Sequence, residues 1–583
     1  MRLLFDRPFS GLFWAQALGA FNDNLYRTAL VWWLVQHQPR WPAHEWALVT
    51  GALLMAPFIL ASGQAGQLAD RLDKAQLLRG LKLLELVPVG VAMVGLHLGH
   101  PLWLVAALVL LGLQSALLGP VKYAMLPDLL PQRQLVEGNA LLESGARVAI
   151  LAGVLVGGVV PETLLGPAMA WVTGLGYLAA RRVTAGRPAA PDLRLDLDPV
   201  RASLACLRLV RQQRAVALSC LGIAWFWLLG SLFLGLGSDN PELLALFLVG
   251  VAAGATFCRR VSFGRTELGL VPIGSAGISL FCLDLSFATS LWRSWLDLFG
   301  VSFCAGLFVI PLYALVQERS PVEARARVLA GANLVSATFM VAGSLALVAL
   351  TRAGLGIPAG LVFISLLNGL VAYYIYSLIP EFGLRFVAYL LAHLVYRLRT
   401  FDLERIPATG PAVLVCNHIT FIDWLIVAAA VPRPVRFVMW YAYFDVPVVK
   451  RLFRDARVIP IAPARKAPEI LAAAFDRIAQ ELEEGQVVCI FPEGMLTLDG
   501  EVSEFKPGIE RIVARTPAPV VPMALRGLWG SFFSKARQGG LSRLLTHELR
   551  SPIELACLDP VPAQEVSAER LRAAVLALRG DRR

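Results

Sequence analysis

The sequence predicts two folds in one chain: a membrane all-α bundle of twelve helices over residues 1–380 and an α/β domain over residues 403–583. Three observations carry that prediction. Apolar residues make up 57% of the chain and charged residues 16%, with a mean hydropathy of +0.63, more apolar surface than a water-soluble core of this length can hide. The apolar runs fill the first two-thirds, and ordinary globular composition follows Glu381. Beyond that point short apolar runs end in polar corners, the pattern of strands feeding helices.

In chain order, apolar segments long enough to span a bilayer lie near residues 9–36, 46–68, 76–98, 101–127, 140–160 and 163–181. A polar stretch rich in Arg and Pro follows, from Arg181 to Arg214. Six more segments lie near 215–236, 242–258, 267–287, 292–317, 327–350 and 357–379. Two sets of six joined by a basic loop resemble the major facilitator organisation. A faint internal echo agrees: Gly119-Pro120 with Tyr123 and Gly138-Asn139 is similar to Pro311 with Tyr313 and Gly331 with Asn333.

The net charge of +11 and pI near 9.5 do not point to nucleic acid, because the cations sit in loops between apolar segments. Loops after even-numbered spans carry Arg71, Lys74, Lys82, Arg133, Arg182, Arg187, Arg194, Arg201, Arg259, Arg260, Arg265, Arg319, Arg325 and Arg327. The opposite loops hold scattered cations such as Arg40, Arg293 and Arg352. The positive-inside rule then predicts that both termini, and the α/β domain with them, are cytoplasmic. Eight cysteines without a CxxC or a His at metal spacing read as buried thiols in a reducing compartment, and no metal site is expected. The first apolar stretch is followed by another span and reads as a retained helix.

Polar residues inside the spans mark function. Gly66-Gln-Leu-Ala-Asp70-Arg71 between spans two and three resembles the facilitator loop motif, in which a small residue lets helices approach and Asp70 and Arg71 latch one side. Phe21-Asn22-Asp23-Asn24 places a carboxylate among apolar residues, at a cost of roughly 2.5–3.5 kcal/mol on insertion scales, so it is expected to face a cavity or a partner. With Lys122-Tyr123, Asn139, Glu143 and Trp225-Phe226-Trp227 it resembles the bacterial lysophospholipid transporters. The resemblance implies a transport cavity lined by Asn22, Asp23, Asn24, Lys122, Glu143 and Arg147. Lys122 and Arg147 have the alternative of snorkelling to the interface, and Trp225 and Trp227 read as packing or interfacial belt rather than substrate contacts.

Residues 381–402 alternate apolar side chains with Arg385, His393, Arg397 and Arg399, and read as an amphipathic interfacial linker helix. In the α/β part, Ala412–Cys416 is a short buried strand ending in Asn417-His418, and Ile419–Ala430 reads as a helix with Asp423 about one turn in. A carboxylate five residues on can hold one imidazole nitrogen and leave the other free to accept a proton. Strands Val487–Phe491 and Val520–Leu525 follow, the first running into Pro492-Glu493-Gly494, and helices over 467–484 and 571–578 complete the domain.

These blocks resemble the glycerolipid acyltransferases: Asn-His-x4-Asp at Asn417, His418 and Asp423, and Phe-Pro-Glu-Gly at Phe491, Pro492, Glu493 and Gly494. The resemblance implies an O-acyltransferase with His418 as general base, Asp423 as its orienting partner, and Asn417 and residues 491–494 around the acceptor lipid. The Arg that the family carries after this last block is missing, since Met495-Leu496-Thr497 stands there. The second block is matched loosely by residues 457–462, with Arg465 and Lys466 as substitutes. Together the two resemblances imply lysophospholipid salvage in a bacterial inner membrane: inward flipping, then re-acylation. The expected donor is acyl-carrier protein or acyl-CoA, with no bound cofactor and with a separate acyl-carrier-protein synthetase supplying donor. The alternatives are a phosphatidate-making enzyme anchored by its spans, and a carrier of another amphiphile with a degenerate enzyme domain.

Overall fold

The computed structural model describes residues 2–582 apart from 39–40, 185, 237–240, 263–267, 355–356, 379, 408, 432, 446–449, 451–452, 532 and 535–550. The loop cations Arg40 and Arg265 lie outside the described residues. The chain divides into two compact units, Met1–Ile375 and Tyr376–Arg583.

In the first unit every one of the twelve apolar segments becomes a helix. They are Arg7–His37, Ala43–Arg71, Lys74–Leu98, Pro101–Leu129, Leu135–Gly157, Glu162–Ala180, Arg214–Leu236, Pro241–Ser262, Leu270–Ser286, Leu291–Arg319, Arg325–Arg352 and Ile357–Leu378. Among the described residues, ten of these are long and apolar enough to cross a membrane. The other two fall short for local reasons. Arg7–His37 carries Asn22, Asp23, Asn24 and Arg27 in mid-length, and Leu270–Ser286 has 17 residues.

The packing repeats itself between halves. The first helix lies against the fifth and the second against the fourth, while the seventh lies against the eleventh and the eighth against the tenth. Across the halves the second helix meets the eleventh and the fifth meets the eighth. This is a two-fold relation of the kind internal repeats generate. Tyr123 and Tyr313, the matched tyrosines of the internal echo, stack on one another with ring centres 4.5 Å apart. Gly66 permits the close approach of the second and eleventh helices: a Cβ there would stand 2.7 Å from the Ala330 Cβ and 2.8 Å from the Arg327 Cα.

In the second unit seven strands form one sheet: β1 (Tyr396–Phe401), β2 (Ala412–Cys416), β3 (Val435–Trp440), β4 (Ile459–Ile461), β5 (Val487–Ile490), β6 (Val520–Arg526) and β7 (Ser551–Cys557). Their order is β1-β7-β6-β2-β5-β3-β4, parallel throughout except for the antiparallel β6–β7 pair. β2 is central and buried on both faces, so it reads as an unbroken apolar run. Ala412, Leu414 and Cys416 enter the core on one side, and Val413 and Val415 the core on the other. The carboxyl ends of β2 and β5 therefore open on one edge of the sheet, where open α/β sheets place their sites.

The linker corrects one expectation. The helix runs over Pro380–Val395 only, and residues 396–401 form β1 instead of its last turns. The cause is a change of period: Tyr396 and Leu398 alternate with Arg397 and Arg399, a two-residue repeat that suits a half-buried strand. Tyr396 is buried while Phe401 is exposed, and β1 pairs with β7. Where its side chains are described the helix keeps two faces, with Ala388 and Ala392 buried and Leu390, Leu391 and Leu394 exposed.

Candidate functional site

Asp423 organises the corner after β2. Its carboxylate is fully buried. Oδ2 accepts from His418 Nδ1 at 2.9 Å, from the Ile419 amide at 2.6 Å and from the Thr420 amide at 3.0 Å. Oδ1 accepts from the Thr420 amide at 3.0 Å and its hydroxyl at 2.6 Å. These bonds explain why the helix starts at Asp423 and not at Ile419 as expected: the preceding amides are spent on this side chain and curl residues 417–422 into a turn. With Nδ1 donating to the carboxylate, Nε2 of His418 carries the lone pair. The ring, 21% exposed, stacks on Phe491 with centroids 4.3 Å apart.

Two neighbours of the histidine hold the corner together. The Asn417 side chain donates to the Leu525 carbonyl at 3.0 Å and accepts from the Leu525 amide at 2.8 Å, which ties the corner to β6. Glu493 accepts the His418 amide at 2.7 Å and the Ser503 amide at 2.8 Å. Both residues are buried, and these bonds fix them to the corner. Burial pushes the Glu493 carboxyl above the usual Glu range, and the amides of Ser503 and His418 pull it partly back. Pro492 accepts from the Lys506 amide at 2.9 Å, and Gly494 stands exposed with φ +68. Burial raises the Cys416 thiol well above its ordinary value, so the cysteine next to the motif is no thiolate nucleophile.

The other site lies inside the bundle. A cavity is lined by Asp23, Asn24, Lys122, Glu143 and Arg147 together with Ser115, Tyr123, Trp227 and Tyr313. Ser115 donates to Asp23 Oδ2 at 2.7 Å, while Asp23 Oδ1 is buried without a partner. Glu143 accepts from the Tyr123 hydroxyl and pairs with Arg147 at 2.9 Å. The Arg147 guanidinium lies 4.6 Å from the Trp227 ring centre and 5.3 Å from that of Phe226.

Among family models, one described as the Major Facilitator Superfamily matches residues 12–346, more than half of the chain. The chain belongs to that superfamily. A second family, Acyltransferase, matches residues 397–526, so a facilitator bundle is followed by an acyltransferase domain. The lysophospholipid transporter LplT of Cronobacter sakazakii is 29% identical over 341 residues, covering 54% of this chain and 81% of that protein. LplT of Photorhabdus laumondii is 29% identical over 344 residues, with the same coverage. The human organic anion transporter MFSD10 is alike in fold, with a TM-score of 0.53 at 16% identity over 64% of this chain and 99% of that one.

Within this facilitator the expected residues divide. Asp23, Asn24, Lys122, Glu143 and Arg147 share the cavity, and Lys122 and Arg147 do not snorkel. Asn22 turns away, as the next residue on a helix must, and donates to Glu85 at 2.8 Å and Thr173 at 3.0 Å. Asp70 takes its cation from Arg327 at 2.9 Å, not from Arg71, and accepts the Ala326 amide at 3.0 Å at the start of the eleventh helix. Trp227 lines the cavity while packing on Phe226, and its indole donates to the Tyr313 hydroxyl at 2.9 Å. Trp225 packs as expected, bonded to Asn368 at 2.7 Å.

Lys82, counted above among the loop cations, is fully buried and pairs with Glu85 at 2.7 Å. The signal for it was present: opposite charges three apart in an apolar run meet on one helix face. Ser115 and Gln317, which exchanges two hydrogen bonds with Asn139 at 2.6 and 3.0 Å, carried no local signal. Among the described residues no group of three or more His, Cys, Asp or Glu could hold a metal ion.

Proposed function

We propose that this protein recovers lysophospholipid: the bundle brings it from the outer to the inner leaflet of a bacterial inner membrane, and the acyltransferase domain re-acylates it. The reading rests above all on the His418–Asp423 pair at 2.9 Å, in a chain whose other part is 29% identical to lysophospholipid transporters. Nε2 of His418 removes the proton of the free glycerol hydroxyl as that oxygen attacks the thioester carbonyl. Asp423 holds the ring and stabilises the imidazolium. As the tetrahedral intermediate collapses the C–S bond breaks, and the imidazolium returns its proton to the leaving thiolate. The chain's own residues supply this chemistry without a bound cofactor, and the donor is acyl-carrier protein or acyl-CoA.

Both termini face the cytoplasm in this reading, as the loop charges favour. Covalent linkage then raises the concentration of delivered lipid near the enzyme. The test is an acceptor panel on the full chain in proteoliposomes, with lysophosphatidylethanolamine and lysophosphatidate offered side by side against both acyl donors. Preferred turnover of lysophosphatidylethanolamine supports salvage. Preferred turnover of lysophosphatidate assigns phosphatidate synthesis instead, and no turnover leaves only a carrier.

A further inference from the structure

A cation with no counter-ion stands beside the catalytic corner. Lys506 is exposed, and its amide donates to the Pro492 carbonyl at 2.9 Å, which fixes its backbone to the Pro492-Glu493-Gly494 turn. Its side chain lies over Gly494, so that a Cβ at that glycine would collide with the ammonium group. The Glu493 carboxylate is turned to the His418 and Ser503 amides, and no ion pair joins it to Lys506 among the described residues. Glu501 pairs with Arg579 at 2.7 Å. Among the described residues Lys506 has no ion-pair partner.

The loop that follows Gly494 presents apolar side chains. Met495 is 59% exposed and Leu498 77% exposed, and the loop that carries them is joined to the histidine by the Thr497 amide, which donates to the His418 carbonyl at 3.0 Å. Phe421, 51% exposed, projects from the turn between His418 and Asp423. Exposed apolar side chains on the two segments joined to His418, with a lone cation over Gly494 between the same segments' ends, match a molecule with an anionic head and a hydrocarbon tail.

We propose that Lys506 binds the phosphate of the acceptor lipid while Met495, Leu498 and Phe421 receive the first part of its acyl chain. The proposal rests on the acyltransferase reading above and names the subsite of that same centre. One ammonium is a point charge suited to a phosphodiester with a single negative charge. A dianionic phosphomonoester is better met by a bidentate guanidinium, and Met495 and Leu496 follow the turn here where one would stand. The acceptor class is therefore a lysophospholipid whose phosphate carries a further head group.

The experiment compares wild type, Lys506→Met and Lys506→Arg as full chains with three oleoyl acceptors: lysophosphatidylethanolamine, lysophosphatidate and monooleoylglycerol, which has no phosphate. Lys506→Met is expected to raise KM for lysophosphatidylethanolamine ~10–100-fold, the scale of one charge-assisted bond. Monooleoylglycerol turnover and the KM for the acyl donor stay unchanged. Lys506→Arg restores the first acceptor and improves use of lysophosphatidate. An unchanged KM for lysophosphatidylethanolamine overturns the proposal, as does an equal loss on monooleoylglycerol. A raised donor KM alone overturns it too, by giving the cation to the donor's phosphodiester. If wild type acylates no phosphate-bearing acceptor, the acyltransferase reading falls as well, and the two failures are told apart.

Discussion

Two buried carboxylates, one in each unit, show what separates a fixed tool from a poised one. Asp423 has hydrogen-bond donors on both oxygens, all supplied by the six residues from His418 onward. Asp23 has the Ser115 hydroxyl on one oxygen and nothing on the other, and that hydroxyl comes from 92 residues away. A carboxylate with every lone-pair direction occupied holds its histidine in one tautomer and one orientation. One with an orphaned oxygen in a cavity can take a donor from a passing ligand, since an unmet buried acceptor costs about 1–3 kcal/mol until it does. The acyltransferase corner is answered from within its own turn; the facilitator cavity holds an acceptor that its own residues leave unmet.

The contrast breaks most sharply at the histidine. His418→Ala removes the only ring nitrogen aimed at the acceptor in the proposed mechanism, and acyl transfer should fall ~10²–10⁴-fold, the contribution of a positioned base. Lipid flipping by the same protein should persist, measured as loss of outer-leaflet lysophospholipid from proteoliposomes. Equal loss of both activities by a folded variant would mean that the two sites are not separate.

Asp423→Asn tests whether the carboxylate is the tool's mount. An amide can still accept from Ile419 and Thr420, but it offers an N–H toward Nδ1 and favours the opposite tautomer. Acyl transfer should drop ~10²–10³-fold in kcat with acceptor KM nearly unchanged, a smaller effect than removing the ring. A KM effect without a kcat effect would make Asp423 a substrate contact. In the bundle, Asp23→Asn should slow flipping ~10-fold or more by removing an intramembrane charge, and leave acylation of lipid supplied directly to the enzyme untouched. If flipping is indifferent to this change, the orphaned oxygen has no part in transport.

The same contrast explains which features were legible. The corner could be read because its parts are local: Asn417, His418 and Asp423 lie within seven residues, and a strand followed by a polar corner fixes where they point. The twelve helices were legible from apolar length alone. What escaped depends on residues far apart in the chain, such as Asp70 with Arg327 and Asn139 with Gln317, because no local pattern reports a partner 257 or 178 residues away. Lys82 was misplaced for a related reason: charge near the end of a span reads as loop until a buried partner is found for it. Glu493 is expected at the acceptor pocket, and the fold adds a second task for it. Its motif says that a carboxylate is wanted there; only the fold shows that it also receives two backbone amides.

That last point sets the smallest and most specific test. Burial raises the Glu493 carboxyl above the ordinary range, with the amides of Ser503 and His418 opposing the rise. A carboxyl whose value is higher in the folded state favours folding in its protonated form. Its contribution is full below the unfolded-state value and is lost as pH rises through the folded-state value. Thermal unfolding of the detergent-solubilised chain, followed from pH 4 toward 7, should therefore contain a component that declines from the ordinary Glu range upward. Glu493→Gln cannot ionise, so this component should vanish and the profile flatten over that window. The variant keeps one carbonyl acceptor for two amides, so acyl transfer should fall only several-fold, through a looser His418 backbone. A profile as steep as wild type would show that Glu493 is ionised at no cost. The two amides would then balance burial, and Glu493 would join Asp423 as a carboxylate answered by backbone donors.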